Sequence, residues 1–175
     1  MKVFLLHISG QSESFHQNLA RAYFTKLQED GLAKHAFYDG SVYDAEDFIN
    51  LAFSQFIILY LVLDMTGDLP QVAGHCHLNG FQGRMAVSHF SMSEAYQGKK
   101  GIELGRAVSK ELFKQKRQDG GPLVTSLLGL TPMSNRLACR YAQLIGFKKQ
   151  LIIKDACEFA DGHFEDAMVS KQEVE

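Results

Sequence analysis

Between Phe56 and Asp64 the chain reads FIILYLVLD, an uninterrupted run of aliphatic, β-branched and aromatic side chains. GHCHLNG and GRMAVSHFSM follow it, with the breakers TGDLP and NGFQG in between, and this alternation of runs and turn residues predicts three antiparallel strands joined by tight turns. Ahead of them, after a short initial strand, the period lengthens. In SESFHQNLARAYFTKLQEDG the residues Phe15, Leu19, Tyr23 and Leu27 recur at every fourth position, Ser12 or Ser14 offers an N-cap, and Gly31 stands just past the end, the marks of an amphipathic helix. DAEDFINLAFSQ repeats them over a shorter span, with acidic residues in its first turn and Phe48, Leu51 and Ala52 on one side.

Beyond the three strands, Leu104, Val108 and Leu112 share one face of a helix expected from about Ile102 to Lys116. PLVTSLLGL predicts a strand, and SNRLACRYAQLIGF a helix closed by Gly146. QLIIKDACEF and HFEDAMVSK, separated by ADG, predict a final hairpin. The order is β-α-α-β-β-β-α-β-α-β-β, a mixed α/β (α+β) arrangement.

A chain of 175 residues with 46% hydrophobic side chains and only three prolines, none in a linker-like stretch, predicts one domain over residues 1–170 and a frayed tail over 171–175. Acidic and basic residues interleave to a net charge of -2, which gives no electrostatic case for a nucleic-acid or membrane partner. Cys76, Cys139 and Cys157 form no CxxC pair and no disulfide framework. The opening MKVFLLHISG lacks a cleavage site, and FIILYLVL is far shorter than the ~20 residues of a membrane helix. These features together suggest a cytoplasmic protein.

The candidate chemistry begins at AYQGKKGIELGRAV, where glycines and lysines stand directly before a helix. A helix start leaves about four amides unpartnered and adds roughly half a positive charge. Glycines let a phosphate approach such amides closely, and Lys99 or Lys100 adds a point charge at the rim. A surface turn with conformational glycines and solvated lysines explains the same residues. There is no Gly-Lys-Ser/Thr and no GxGxxG after a first βα unit, so neither a P-loop nor a dinucleotide fingerprint is present.

In element order and in two motifs the chain resembles the GNAT superfamily of acetyl-CoA-dependent N-acetyltransferases. YQGKKGIELG resembles that family's pyrophosphate loop: Gln97 begins it, one residue is inserted before Gly101, and Glu103 replaces the final glycine or alanine. SNRLACRYAQLIGF matches without a gap the family's Asn-x-x-Ala followed by Gly-Phe, through Asn135, Ala138, Gly146 and Phe147. The resemblance implies a central, mostly antiparallel sheet flanked by helices, and an acetyl group passed from acetyl-CoA to the amine of a small molecule or protein. It implies CoA contacts at Phe90, Ser91 and Met92, at Gln97, Gly98, Lys99, Lys100, Gly101, Ile102 and Glu103, and at Asn135. The family's usual acid tyrosine is Ala142 here, and Tyr141 stands one place earlier, about 100° around the helix. Tyr141 is therefore either a core tyrosine or the acid. Glu103, expected in the first turn, would oppose the charge of a bound pyrophosphate.

His75 and His77 alternate along one strand and His89 lies on the next, so the three share a sheet face. That face either packs the imidazoles, holds a divalent metal, or presents His89 as a general base. With no carboxylate ligand identifiable, no metal is assigned, and His89 is the candidate base. Asp64 and Glu94 read as solvated. A second reading keeps the fold without the catalysis, as a binding or assembly factor, because NGFQGRMAVSHF loosely resembles tailed-phage GNAT-like proteins, some of them head-assembly factors. A homodimer or a phage assembly partner is compatible with that reading.

Overall fold

The computed structural model describes residues 1–174. Among them, seven strands form one sheet in the order β1-β2-β3-β4-β5-β7-β6. β1 (Val3–Ile8), β2 (Ile58–Asp64), β3 (Gln71–Gln82) and β4 (Met85–Met92) are antiparallel neighbours, as the three runs and the initial strand predict. β4 then meets β5 (Ser126–Pro132) in parallel. The hairpin of β6 (Lys148–Glu158) and β7 (Phe164–Glu173) completes the sheet by pairing β7 with β5.

Helices cover both faces. α1 (Ser14–Glu29) and α3 (Ala45–Leu51) pack on one side, where Ala20, Tyr23, Phe24, Leu27, Phe48 and Ile49 join Leu59 and Leu61 in one core. The buried stripe on α1 is rotated from the expected one, and Phe15 is 68% exposed. α1 starts after Glu13 with no side-chain cap, since Ser12 instead accepts from Ser9 N at 2.8 Å. α3 is capped by Asp44, which accepts from Glu46 N and Asp47 N, offsetting donors that a helix start leaves free. A short helix, α2 (Ala33–Ala36), that the periodicity does not announce lies between α1 and α3. Four residues are too few to show a period.

On the other face, α4 (Gly98–Lys114) buries Leu104, Val108 and Leu112, as predicted, against a second core that also receives α5 (Arg136–Leu144). Gly146 adopts φ 112° just beyond α5, the C-terminal stop that the sequence shows. β7 continues to Glu173, and Val174 N donates to Thr125 O. Lys171, Gln172 and Glu173 are thus ladder residues where fraying is expected, and Glu175 lies outside the described residues. No helix among the described residues is long and apolar enough to cross a membrane.

Candidate functional site

The sheet parts at its centre. β4 and β5 pair only from Met85 to Val87 and from Ser126 to Leu128, and the last tie is Ser88 Oγ, donating to Leu128 O at 3.0 Å. Beyond it, Ser88–Met92 on one side and Gly129–Pro132 on the other are edges with no partner across the gap. A cleft of about 120 Å³ occupies the opening, lined among others by Ser88, His89, Phe90, Gly129, Asn135, Tyr141 and Ser170. It shares His35, Tyr38, Pro132 and Asn135 with a neighbouring cavity of about 490 Å³.

Immediately after β4, a 3-10 turn at Glu94–Tyr96 reverses the chain and α4 begins. Gln97 is the N-cap residue and caps nothing with its side chain, so the first-turn amides of Gly98, Lys99, Lys100 and Gly101 lack intrahelical acceptors. Gly98 adopts φ 66°, a left-handed conformation that a glycine accepts at no steric cost. At Gly101 a Cβ would lie 2.3 Å from Tyr96 O, so this turn closes only around a residue without one. A strand edge left open beside a helix start offers backbone amides and carbonyls to an extended amide-bearing arm, and amides to an anion at its end.

No family model matches the chain, and no curated protein matches it in sequence. Solved structures do match. A Salmonella typhimurium acetyl transferase that modifies the N-terminal serine of ribosomal protein L7/L12 superposes with a TM-score of 0.73 at 12% identity, over 100% of this chain and 96% of that one. The microcin C7 self-immunity acetyltransferase MccE, solved with acetyl-CoA and AMP, gives 0.69 at 12% identity over 99% and 93%. Aminoglycoside acetyltransferase AAC(6')-Ib, solved with coenzyme A and kanamycin, gives 0.66 at 16% over 98% and 95%. The chain has the GNAT fold.

Within that fold the expected site residues divide between the two sheet faces. His89 stacks on His77 at 4.2 Å between ring centroids, and His77 on His75 at 5.8 Å. Phe37 lies parallel to both His75 and His77. The column is on the α1–α3 side, with Tyr23 and His75 Nδ1 sharing a hydrogen bond of 3.1 Å. His75 and His77 are 1% and 5% exposed. Burial pulls the pKa of His75 down to about 3, of His77 to about 2 and of His89 to about 4. Face-to-face rings do not aim their nitrogens at one point. Among the described residues no group of three His, Cys, Asp or Glu is placed to hold a metal ion. His89 Nε2 is bonded to Asn79 Oδ1 at 3.3 Å, which assigns the proton to Nε2 and leaves Nδ1 as the basic atom.

Tyr141 is on the opposite face. Its hydroxyl donates to Gly101 O at 3.2 Å and lies 3.5 Å from Met92 Sδ, and burial raises the phenol above its usual range. Gly105 makes room for it, because a Cβ there would come within 2.1 Å of the hydroxyl. The phenol is thus a packed strut between α5 and the first turn of α4. His89 and Tyr141 both border the gap, from opposite sides.

The remaining positions follow the strand's alternation. Ser91 stands opposite His75 on β3, on the histidine face. Phe90 and Met92 pack on the α4 face, Phe90 edge-on to Phe147 at 6.4 Å. Ile102 packs into the same core. Lys99 is exposed, and Lys100 Nζ sits 3.8 Å above the Tyr96 ring. Asn135 caps α5 by accepting from Ala138 N at 3.0 Å, while still lining the cleft.

Glu103 departs from its expected place. With α4 starting at Gly98 it falls in the second turn, the first turn holds no acidic residue, and Glu103 is exposed beside Met1, Asp64, Thr66 and Lys100. Asp64 also departs from the solvated reading, being buried and accepting from Tyr96 Oη at 3.0 Å and from Thr66 N at 3.0 Å. His35 and Tyr38 line both cavities without a signal in the sequence. Ser170 is equally unmarked, and its buried Oγ has no hydrogen-bond partner in a residue that lines the cleft. α2 and the turn that follows it carry too little pattern to flag the first two, and Ser170 is one small residue on an ordinary alternating strand.

Proposed function

We propose that this protein transfers an acetyl group from acetyl-CoA to an amine. The observation that carries the reading is the parting of β4 and β5 directly beside the uncapped start of α4. Bound there, acetyl-CoA supplies an activated thioester whose carbonyl accepts an amine nucleophile. The open edge of β4 from Ser88 to Met92 would hold the amides of the pantetheine arm, and the amides of Gly98–Gly101 its pyrophosphate. Lys99 and Lys100 add charge at the rim, and Gly98 keeps a side chain out of the approach. Asn135, the N-cap residue of α5, would border the arm.

A backbone amide of the β4 edge is the donor available to the thioester oxygen, where a positioned hydrogen bond counts most. His89 lines the cleft from the histidine face and is the candidate base, with Nδ1 as its basic atom. Its burial keeps the imidazole neutral at pH 7, ready to accept a proton but weak in holding one. Tyr141 contributes through packing. The larger cavity lined by Lys34, His35, Tyr38, Arg136 and Phe159 would receive the acceptor, a small molecule or a protein terminus. AAC(6')-Ib with kanamycin and the L7/L12-modifying enzyme are neighbours of each kind.

Calorimetry with acetyl-CoA and with CoA tests the cofactor, and release of free CoA thiol across a panel of amines tests the chemistry. Saturable binding of both ligands with amine-dependent thiol release is the expected result. Binding without release for any amine favours a protein that kept the cleft and lost the reaction. Absence of binding at near-millimolar ligand overturns the proposal.

A further inference from the structure

The cavity of about 490 Å³ beside the gap is lined by three basic side chains, Lys34, His35 and Arg136, and by no acidic one, on a chain whose net charge is -2. Among the described residues neither Lys34 nor Arg136 has an ion-pair partner. The carboxylates that adjoin the lining are engaged elsewhere. Asp39, next to Tyr38 in the chain, accepts from Ser41 N at 3.1 Å and from Ser41 Oγ at 2.7 Å, and Glu165, which accepts from Ser134 N at 3.3 Å, is paired with His163. Arg136 also breaks a local rule. It opens α5, whose first turn contains no acidic residue, so a fixed cation adds to the positive end of the helix. That placement is unfavourable to the empty protein and is relieved by an anion.

We propose that the acceptor is a small amine that also carries an anionic group, a phosphate or a carboxylate, held by Lys34 and Arg136 while the amine reaches the gap. The inference rests on the acetyl-transfer reading and names the substrate class of that site. Concave walls of low dielectric concentrate the field of charges of one sign, and a guanidinium can hold a phosphate or a carboxylate through two parallel hydrogen bonds. The cavity shares His35, Tyr38, Pro132 and Asn135 with the cleft, so an acceptor anchored in the one extends into the other. The rings of Tyr38 and Phe159, 4.9 Å apart, give its body an apolar wall. An amine whose other groups are cationic, such as kanamycin, meets like charge there and gains nothing from it.

Calorimetry on the full chain, with and without CoA, tests the inference on matched pairs. Glucosamine 6-phosphate against glucosamine tests phosphate, tyrosine against tyramine tests carboxylate, and kanamycin is the cationic control. The anionic member of one pair or of both should bind at least ~10-fold tighter than its partner, and the pair that discriminates identifies the anion. The preference should shrink as sodium chloride is raised to ~0.5 M. Arg136→Gln should remove most of it and Arg136→Lys should keep part, while Arg136→Gln melts no lower than the parent, since it takes a cation from the helix start. Equal binding within both pairs overturns the inference, as does a preference that survives Lys34→Gln combined with Arg136→Gln. Failure of the cofactor reading is distinguishable from these outcomes. Selective binding of an anionic amine by a chain that binds no CoA removes the transfer reading alone and leaves the anionic amine as the ligand. Release of CoA thiol confined to amines without an anionic group removes this inference alone.

Discussion

The two faces of the sheet on either side of the β4–β5 gap are built on different principles. The α1–α3 face is aromatic and titratable: Tyr23, Phe37, Phe48, His75, His77 and His89 stack against one another, and the imidazoles stay neutral because burial forbids their charge. The α4–α5 face is a close fit enabled by missing side chains, with Gly101 and Gly105 letting α4 approach Tyr96 and Tyr141. One face is sensitive to protons and the other to volume. His89 and Tyr141 belong one to each face and lie on opposite sides of the gap.

Acid should break the first face most severely. His75 and His77 have folded pKa values near 3 and 2 against about 6.5 unfolded. The unfolded chain therefore binds more protons below that value, and stability, complete above it, falls with pH at up to ~1.4 kcal/mol per unit for each histidine. Moving from pH 7 to pH 5 should cost ~4 kcal/mol for the two, measured by urea unfolding across that range. His89, with a folded pKa near 4, adds a nearly equal share, so His77→Leu should remove about a third of the column's slope while changing stability little at pH 7, because Nδ1 of His77 has no partner to lose. An unchanged slope would mean that the column is not the acid-labile element.

Gly105→Ala probes the second face. Its Cβ meets the Tyr141 hydroxyl at 2.1 Å and Ile145 Cγ2 at 2.8 Å, so a loss of ~1–3 kcal/mol is expected. Tyr141→Phe on that background should restore part of it by removing the nearest atom, and non-additivity in the double-mutant cycle is the readout.

Tyr141→Phe alone separates packing from catalysis. A packed strut predicts ~1 kcal/mol of lost stability from the bond to Gly101 O and turnover within ~3-fold of the parent, whereas a general acid predicts a ~10²–10⁴-fold fall. The smallest effect is expected at Glu103. In the second turn, the dipole and any pyrophosphate at Gly98 are too far away to act on an exposed carboxylate, so Glu103→Ala should change CoA affinity by less than ~2-fold in calorimetry. A several-fold tightening would bring Glu103 back to the helix start.

The division between sequence and structure follows from the range of the interactions involved. Elements with several periods were legible: the β2–β4 runs, the α4 stripe of Leu104, Val108 and Leu112, and the stop at Gly146 all express local rules of alternation, amphipathicity and left-handed backbone. Their order, with the Asn135 motif, was enough to indicate the GNAT fold and to place His75, His77 and His89 on one face. The chain by itself could not say that α4 begins at Gly98, because that start depends on the 3-10 turn and on Gly101 closing over Tyr96 O. Four residues of that shift moved Glu103 out of the first turn. Nor could it separate His89 from Tyr141, bury Asp64 under Tyr96, or bring His35 and Tyr38 to the gap, since each depends on contacts between segments 30 or more residues apart. Local pattern determined which elements form, and only their packing decided which side of the opening each side chain reached.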